Sequence, residues 1–111
     1  MNAVILTGTV ASRPRRTETG RGDVSNFFLA VVYDYRDKHG VPRQRQEEFS
    51  ISAWGAVADI ACSLQLGDRA EVLARLEVYE AHGTKLPSIF ASRIERIQPA
   101  VQTEVEPKGD Q

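Results

Sequence analysis

The sequence predicts an all-β fold, a small five-stranded Greek-key barrel with one short helix between its third and fourth strands. Three observations predict it. Five runs rich in branched and aromatic residues space their apolar side chains by two, as strands do. Only the stretch 55–67 spaces them for a helix. Breakers bearing glycine and proline separate the runs, and 111 residues suffice for one such domain.

The first strand is read over "NAVILTGTVAS", where Val4, Leu6 and Val10 are in phase. Gly8 inside that run marks a bend, a bulge or a close backbone approach. Residues 13–23, "RPRRTETGRGD", read as a basic loop. "VSNFFLAVVYDY" is apolar on both phases, with Phe28, Ala30 and Val32 set against Phe27, Leu29 and Val31. A strand like that is expected to be covered on both sides, by the core and by a loop or partner chain. Residues 36–46 read as a second basic loop, and "EEFSISAW" as the third strand.

Val57, Ile60, Ala61 and Leu64 then fall at helical spacing, closed by Gly67. "DRAEVLARLEVY" alternates, with Val72, Ala74, Leu76 and Val78 expected inward and Glu71, Leu73, Arg75, Glu77 and Tyr79 outward. A turn around Gly83 leads into "LPSIFASRIERI", with Pro87 early, where a missing donor is best tolerated. Three strands, a helix and two strands suit the OB fold, in which the helix plugs one end of the barrel. The domain is expected over residues 1–98, and 99–111, polar and aperiodic, as a disordered tail.

Composition excludes several classes of function. No apolar run approaches the ~18 residues of a spanning helix, and no basic-then-apolar leader opens the chain, so it is expected to work in the cytoplasm. Cys62 is the single cysteine, which leaves no disulfide framework and no cysteine metal site. His39 and His82 lie in separate loops, and the adjacent Glu47 and Glu48 point to opposite faces of a strand. No nucleophile has a base in phase, so neither catalysis nor a cofactor is expected. Net charge is −1, but residues 1–46 carry eight Arg/Lys against four Asp/Glu. That asymmetry is a weak pointer to a polyanion, with solvated loop charge as the plainer reading.

The sharpest local anomaly is Trp54. In the third strand Phe49, Ile51 and Ala53 share one face, while Trp54 shares the other with Ser50 and Ser52. The largest apolar side chain on a polar face is either covered by something else or kept for a ligand.

Several stretches together resemble the bacterial single-stranded DNA-binding proteins. They are "MNAVILTGTVASRPRRTETGRGDV", "FFLAVVYDYRDKHG", "ISAWGAVADIACSLQLGDRAEVLARLEV" and "IFASRIERI", spanning residues 1–97. The resemblance implies an OB barrel assembled as a homotetramer or homodimer. It also implies sequence-independent binding of single-stranded DNA in replication, recombination or repair, with proteins of those processes as candidate partners. Carried over by motif, the aromatic before "RDK" is Tyr35, those of the third strand are Phe49 and Trp54, and that of the fourth is Tyr79.

Phe49 and Trp54 lie on opposite faces, where the family holds its pair on one, so Phe49 is either core or ligand-facing. Glu77 is in phase with Tyr79, where the family tends to be basic. The short last hairpin and the tail without an acidic, hydrophobic tip also resemble the dimeric primosomal relatives.

The residue types fit the implied task. Every base has a π face, so stacking on an aromatic contributes roughly 1–3 kcal/mol per base without reading sequence. Every nucleotide has a phosphate, so arginine and lysine add a salt-dependent share. Tyr35 leads into Arg36, Lys38, Arg43 and Arg45, and Tyr79 is near Arg75 and Lys85. Arg13, Arg15 and Arg16 are either a phosphate clamp or an ordinary solvated loop. An OB barrel serving as a protein-interaction module is the alternative from a different class.

Overall fold

Alternating side chains and one helical stretch produce a single sheet that closes on itself. In the computed structural model, which describes residues 1–101, the strands are β1 (Val4–Val10), β2 (Arg15–Thr19), β3 (Gly22–Arg36), β4 (Pro42–Trp54), β5 (Arg69–Ala81) and β6 (Thr84–Gln98). The helix α1 (Ala56–Cys62) sits between β4 and β5. β1 pairs with β5, β5 with β6, β6 with β4 in parallel, and β4 with β3. β3 returns to β1 at Thr9↔Ala30 and Val10↔Leu29, completing a ring-like sheet of five strands.

Gly8 sits where that ring closes. A Cβ there would collide with the Ala30 carbonyl oxygen, so the residue is glycine because two backbones approach closely. Phe27, Leu29, Ile51, Val10 and Val72 fill the interior, and Ala61 and Leu64, on and just after α1, pack onto them. Trp54 stands on the face opposite Ile51 and Ala53, as its phase requires.

Three expectations are corrected. Residues 13–23 contain a sixth strand, β2, paired with Gly22–Asn26 of β3 outside the ring closure. All five residues of β2 are exposed, so no apolar alternation marks it; Arg16 ties it down instead, with Nη1 2.8 Å from Asp23 and Nη2 bonded to Asp59 of α1. The loop expected over 36–46 shrinks to 37–41, and Arg43 and Arg45 stand on β4, paired with Tyr35 and Tyr33. Both faces of that hairpin end are largely solvated, so its polar composition mimics a loop. Leu76 and Val78, expected inward, are 46% and 67% exposed, because β5 runs on past the ring as a free arm.

That arm turns at His82 and Gly83, both with positive φ, in a two-residue hairpin between Ala81 and Thr84. On the second face of β3, Phe28 and Val32 are about half exposed, while Ala30 between them is buried where β1 pairs. The opposite end of the ring is closed by Asp68, only 2% exposed. Its carboxylate accepts from the Gln65 and Ala100 amides at 2.8 and 2.9 Å and from Arg96 Nε at 3.0 Å. Those bonds, led by the Gln65 amide, outweigh burial and hold Asp68 below the usual carboxylate range. The tail expected over 99–111 thus has Ala100 bonded to the domain, and from residue 102 it lies outside the described residues.

Candidate nucleic-acid interface

β4 and β6 run parallel but pair only at Ile51↔Ile89 and Ser52↔Phe90. Toward their N-terminal ends they part, each continuing as one strand of a hairpin arm, β3–β4 or β5–β6. Alongside that fork lies an open groove of about 880 Å³, lined mainly by apolar surface from Phe49, Trp54, Val78, Tyr79, Ile89 and Phe90.

The groove is built on a parallel aromatic pair. Trp54 and Phe90 lie with ring centroids 6.3 Å apart and planes 9° from parallel. Ser52, on the same face, donates to Asn26 Oδ1 at 2.7 Å across the strand pair, and Ser50 stands opposite Phe28. Arg75 lies with its guanidinium 4.5 Å from the centre of the Phe90 ring, and its Nε donates to Glu77. Tyr79 is half exposed further along the arm. Phe49 points to the opposite face of β4 and packs on the core while also lining the groove.

Phe90 is absent from the residues singled out in the sequence. The signal was available: it alternates with Ile89 and Ala91 and sits between Ser88 and Ser92, the same aromatic-among-serines pattern that exposes Trp54.

The second set of residues gathers at the tip of the β3–β4 arm. Tyr35, Arg36 and Arg43 line a separate concavity of about 450 Å³ with Asp34, Pro42 and Gln44. Much of the charge there is already engaged. Arg43 pairs with Asp37 at 3.0 Å, Arg45 lies 3.4 Å from Glu47 and over the Tyr33 ring, and Arg36 donates to the Gly40 carbonyl. Asp37 is held below its ordinary range, first by the Val41 amide and also by Arg43 and the His39 amide, against the cost of burial. Burial, then the nearby Glu47, pushes the Tyr33 phenol up. Lys38 is exposed in the tip loop, with no ion pair among the described residues, and Lys85 stands across from Glu80 at the end of the other arm.

Arg13, Arg15 and Arg16 do not act as one set of free cations, although Arg13 and Arg16 both border Cys62, whose Sγ lies 3.5 Å from Arg16 Nε. Arg16 is neutralised by two carboxylates, Arg15 is exposed on β2, and Arg13 borders a concavity beside Cys62 and Leu64. Among the described residues no group of three His, Cys, Asp or Glu is placed to hold a metal, and no helix is long and apolar enough to cross a membrane.

A closed ring of strands with a helix at one junction, an aromatic groove and two hairpin arms defines a small OB-type binding protein. Residues 1–95 match the model of the single-strand binding protein family, and the chain belongs to that family. The family is one of binding proteins rather than enzymes, in line with the absence of a catalytic constellation in the sequence. The chain is 39% identical over 80 residues to single-stranded DNA-binding protein 1 of Chlorobaculum tepidum, a match covering 69% of this chain and 49% of that one. It therefore spans about half the length of that curated relative.

Among solved structures it is similar to the small single-stranded DNA-binding protein of Streptomyces coelicolor, at 27% identity and a TM-score of 0.67, covering 85% of this chain and 90% of the other. A deletion mutant of the single-stranded DNA-binding protein of Thermus aquaticus superposes with a TM-score of 0.79 at 25% identity, covering 88% of this chain and 51% of that one.

Proposed function

We propose that this protein binds single-stranded DNA without reading its sequence. Bases stack on Trp54, Phe90 and Tyr79 in the groove, and phosphates run along exposed cations on the arms, Lys38 and Lys85 among them. The observation that carries this is the parallel Trp54–Phe90 pair, partly exposed along an open groove rather than sealed in the core. Stacking of that kind accepts any base. Tyr35 and Arg43 at the arm tip extend the track if the strand leaves the groove over β4.

The reading includes self-assembly, as homodimer or homotetramer. Residues Val4 to Gly8 of β1 pair on one side only among the described residues, and Ile5, Phe28 and Val32 are exposed apolar side chains on the outside of the ring. Work in the cytoplasm with replication or repair proteins, and a binding domain over residues 1–98, complete the proposal.

One observation favours a protein-interaction module instead. The groove lining includes Glu48 and Glu77 but no lysine or arginine. Titration of oligo(dT) while following Trp54 fluorescence separates the readings, because Trp54 is the only tryptophan. Saturable quenching that weakens steeply with salt supports DNA binding. Unchanged fluorescence with no binding supports the interaction module.

A further inference from the structure

Arg75 is the one cation laid against the aromatic pair, and it is not free. Its guanidinium covers Phe90 at 4.5 Å, and Nε is bonded to Glu77 Oε2. Glu77 lines the groove itself, together with Glu48, so the carboxylates face the ligand space while the neighbouring positive charge is turned onto the ring. We infer that Glu77 is a positioning residue that sets the affinity of this groove, holding Arg75 down on Phe90 and away from phosphate.

The inference rests on the single-strand-binding reading and follows from competition. A phosphate reaching Arg75 meets a guanidinium whose Nε is already taken and whose charge is already offset by a carboxylate. A base seeking the covered face of Phe90 must move the guanidinium. Both members of the pair are about half exposed, and exposed pairs are worth little, so a bound strand can open the latch. The result is a groove that binds bases readily and phosphates reluctantly, with a shallower response to salt than a free Arg75 beside it would give.

The test uses the full chain as wild type, Glu77→Gln and the double variant Arg75→Gln/Glu77→Gln. Each is checked for an unchanged melting temperature and titrated with end-labelled oligo(dT) over a tenfold range of salt. Glu77→Gln is expected to bind roughly three- to tenfold tighter at low salt, with the log–log salt slope steeper by about 0.7, the value for one added phosphate contact on a single strand. The double variant is expected to lose both gains.

Wild-type binding with no change of affinity or slope in Glu77→Gln overturns the inference and leaves the binding reading standing. A gain that persists in the double variant also overturns it, since removal of carboxylate repulsion would then account for the effect without Arg75. Absence of binding in all three proteins overturns the binding reading and the inference together.

Discussion

The two ends of this molecule spend their charges in opposite ways. At the closed end, where α1 meets the ring, Asp68 is buried with three donors and Arg16 lies between two carboxylates, tying β2 to α1. Those groups hold chain segments together and leave nothing for a ligand. At the open end the β3–β4 and β5–β6 arms carry half-exposed aromatics beside a groove, and their charges stay at the surface. If stability resides in the first region and, as proposed, binding in the second, substitutions in the two should separate cleanly.

The largest effect is expected at the ring closure. Gly8→Val places a branched side chain against the Ala30 carbonyl and is expected to cost about 3 kcal/mol or more. Urea unfolding reads this directly; a midpoint near that of the wild type would mean that β1 and β3 can separate at little cost.

Asp68→Asn comes next and carries a pH signature. The folded-state pKa of Asp68 is lowered, so its contribution is present above the unfolded value of about 4 and is lost as pH falls through the folded value. The variant is expected to be less stable at neutral pH and to lose less of its remaining stability on acidification. Melting temperatures of both proteins between about pH 7 and pH 2 check the sign. Parallel curves would place the acid sensitivity elsewhere.

In the groove Trp54→Ala is expected to weaken oligo(dT) binding by roughly 1–3 kcal/mol with the melting temperature nearly unchanged. Phe90→Ala should do the same through the other half of the pair. A large loss of stability with intact binding in either variant would move that ring from the binding region to the structural one.

This division also explains what could be read in advance. Strand phase announced the strands of the ring and put Trp54 on the face away from the core, because Ile51 and Ala53 repeat every second residue and leave only one orientation. β2 was illegible because Arg15 to Thr19 are polar on both faces, and pairing with β3 rather than burial makes them a strand. Leu76 and Val78 alternate as core residues do, but they lie past the point where the ring ends, which alternation cannot mark. The ties of Arg16 to Asp59 and of Asp68 to Arg96 join residues far apart in the chain, and only the closed sheet brings them together. Three arginines in "RPRR" therefore read as one cluster although the fold neutralises Arg16 and leaves Arg15 exposed on β2.

The smallest effects sharpen the comparison most, because they concern residues of the same charge. Lys38→Gln removes an exposed cation from the arm tip, and Arg16→Gln removes one already neutralised at the closed end. If the arms carry the phosphate track, Lys38→Gln should lower the salt slope of oligo(dT) binding by about 0.7 with an unchanged melting temperature. Arg16→Gln should leave the slope alone and lower the melting temperature slightly, since two carboxylates lose their partner while no phosphate does. Titrations over a salt series and a melt on each protein distinguish the two. The reverse pattern, with the slope falling in Arg16→Gln only, would mean that DNA opens the Asp23 and Asp59 pairs and that the phosphate track runs over β2 instead of the arms.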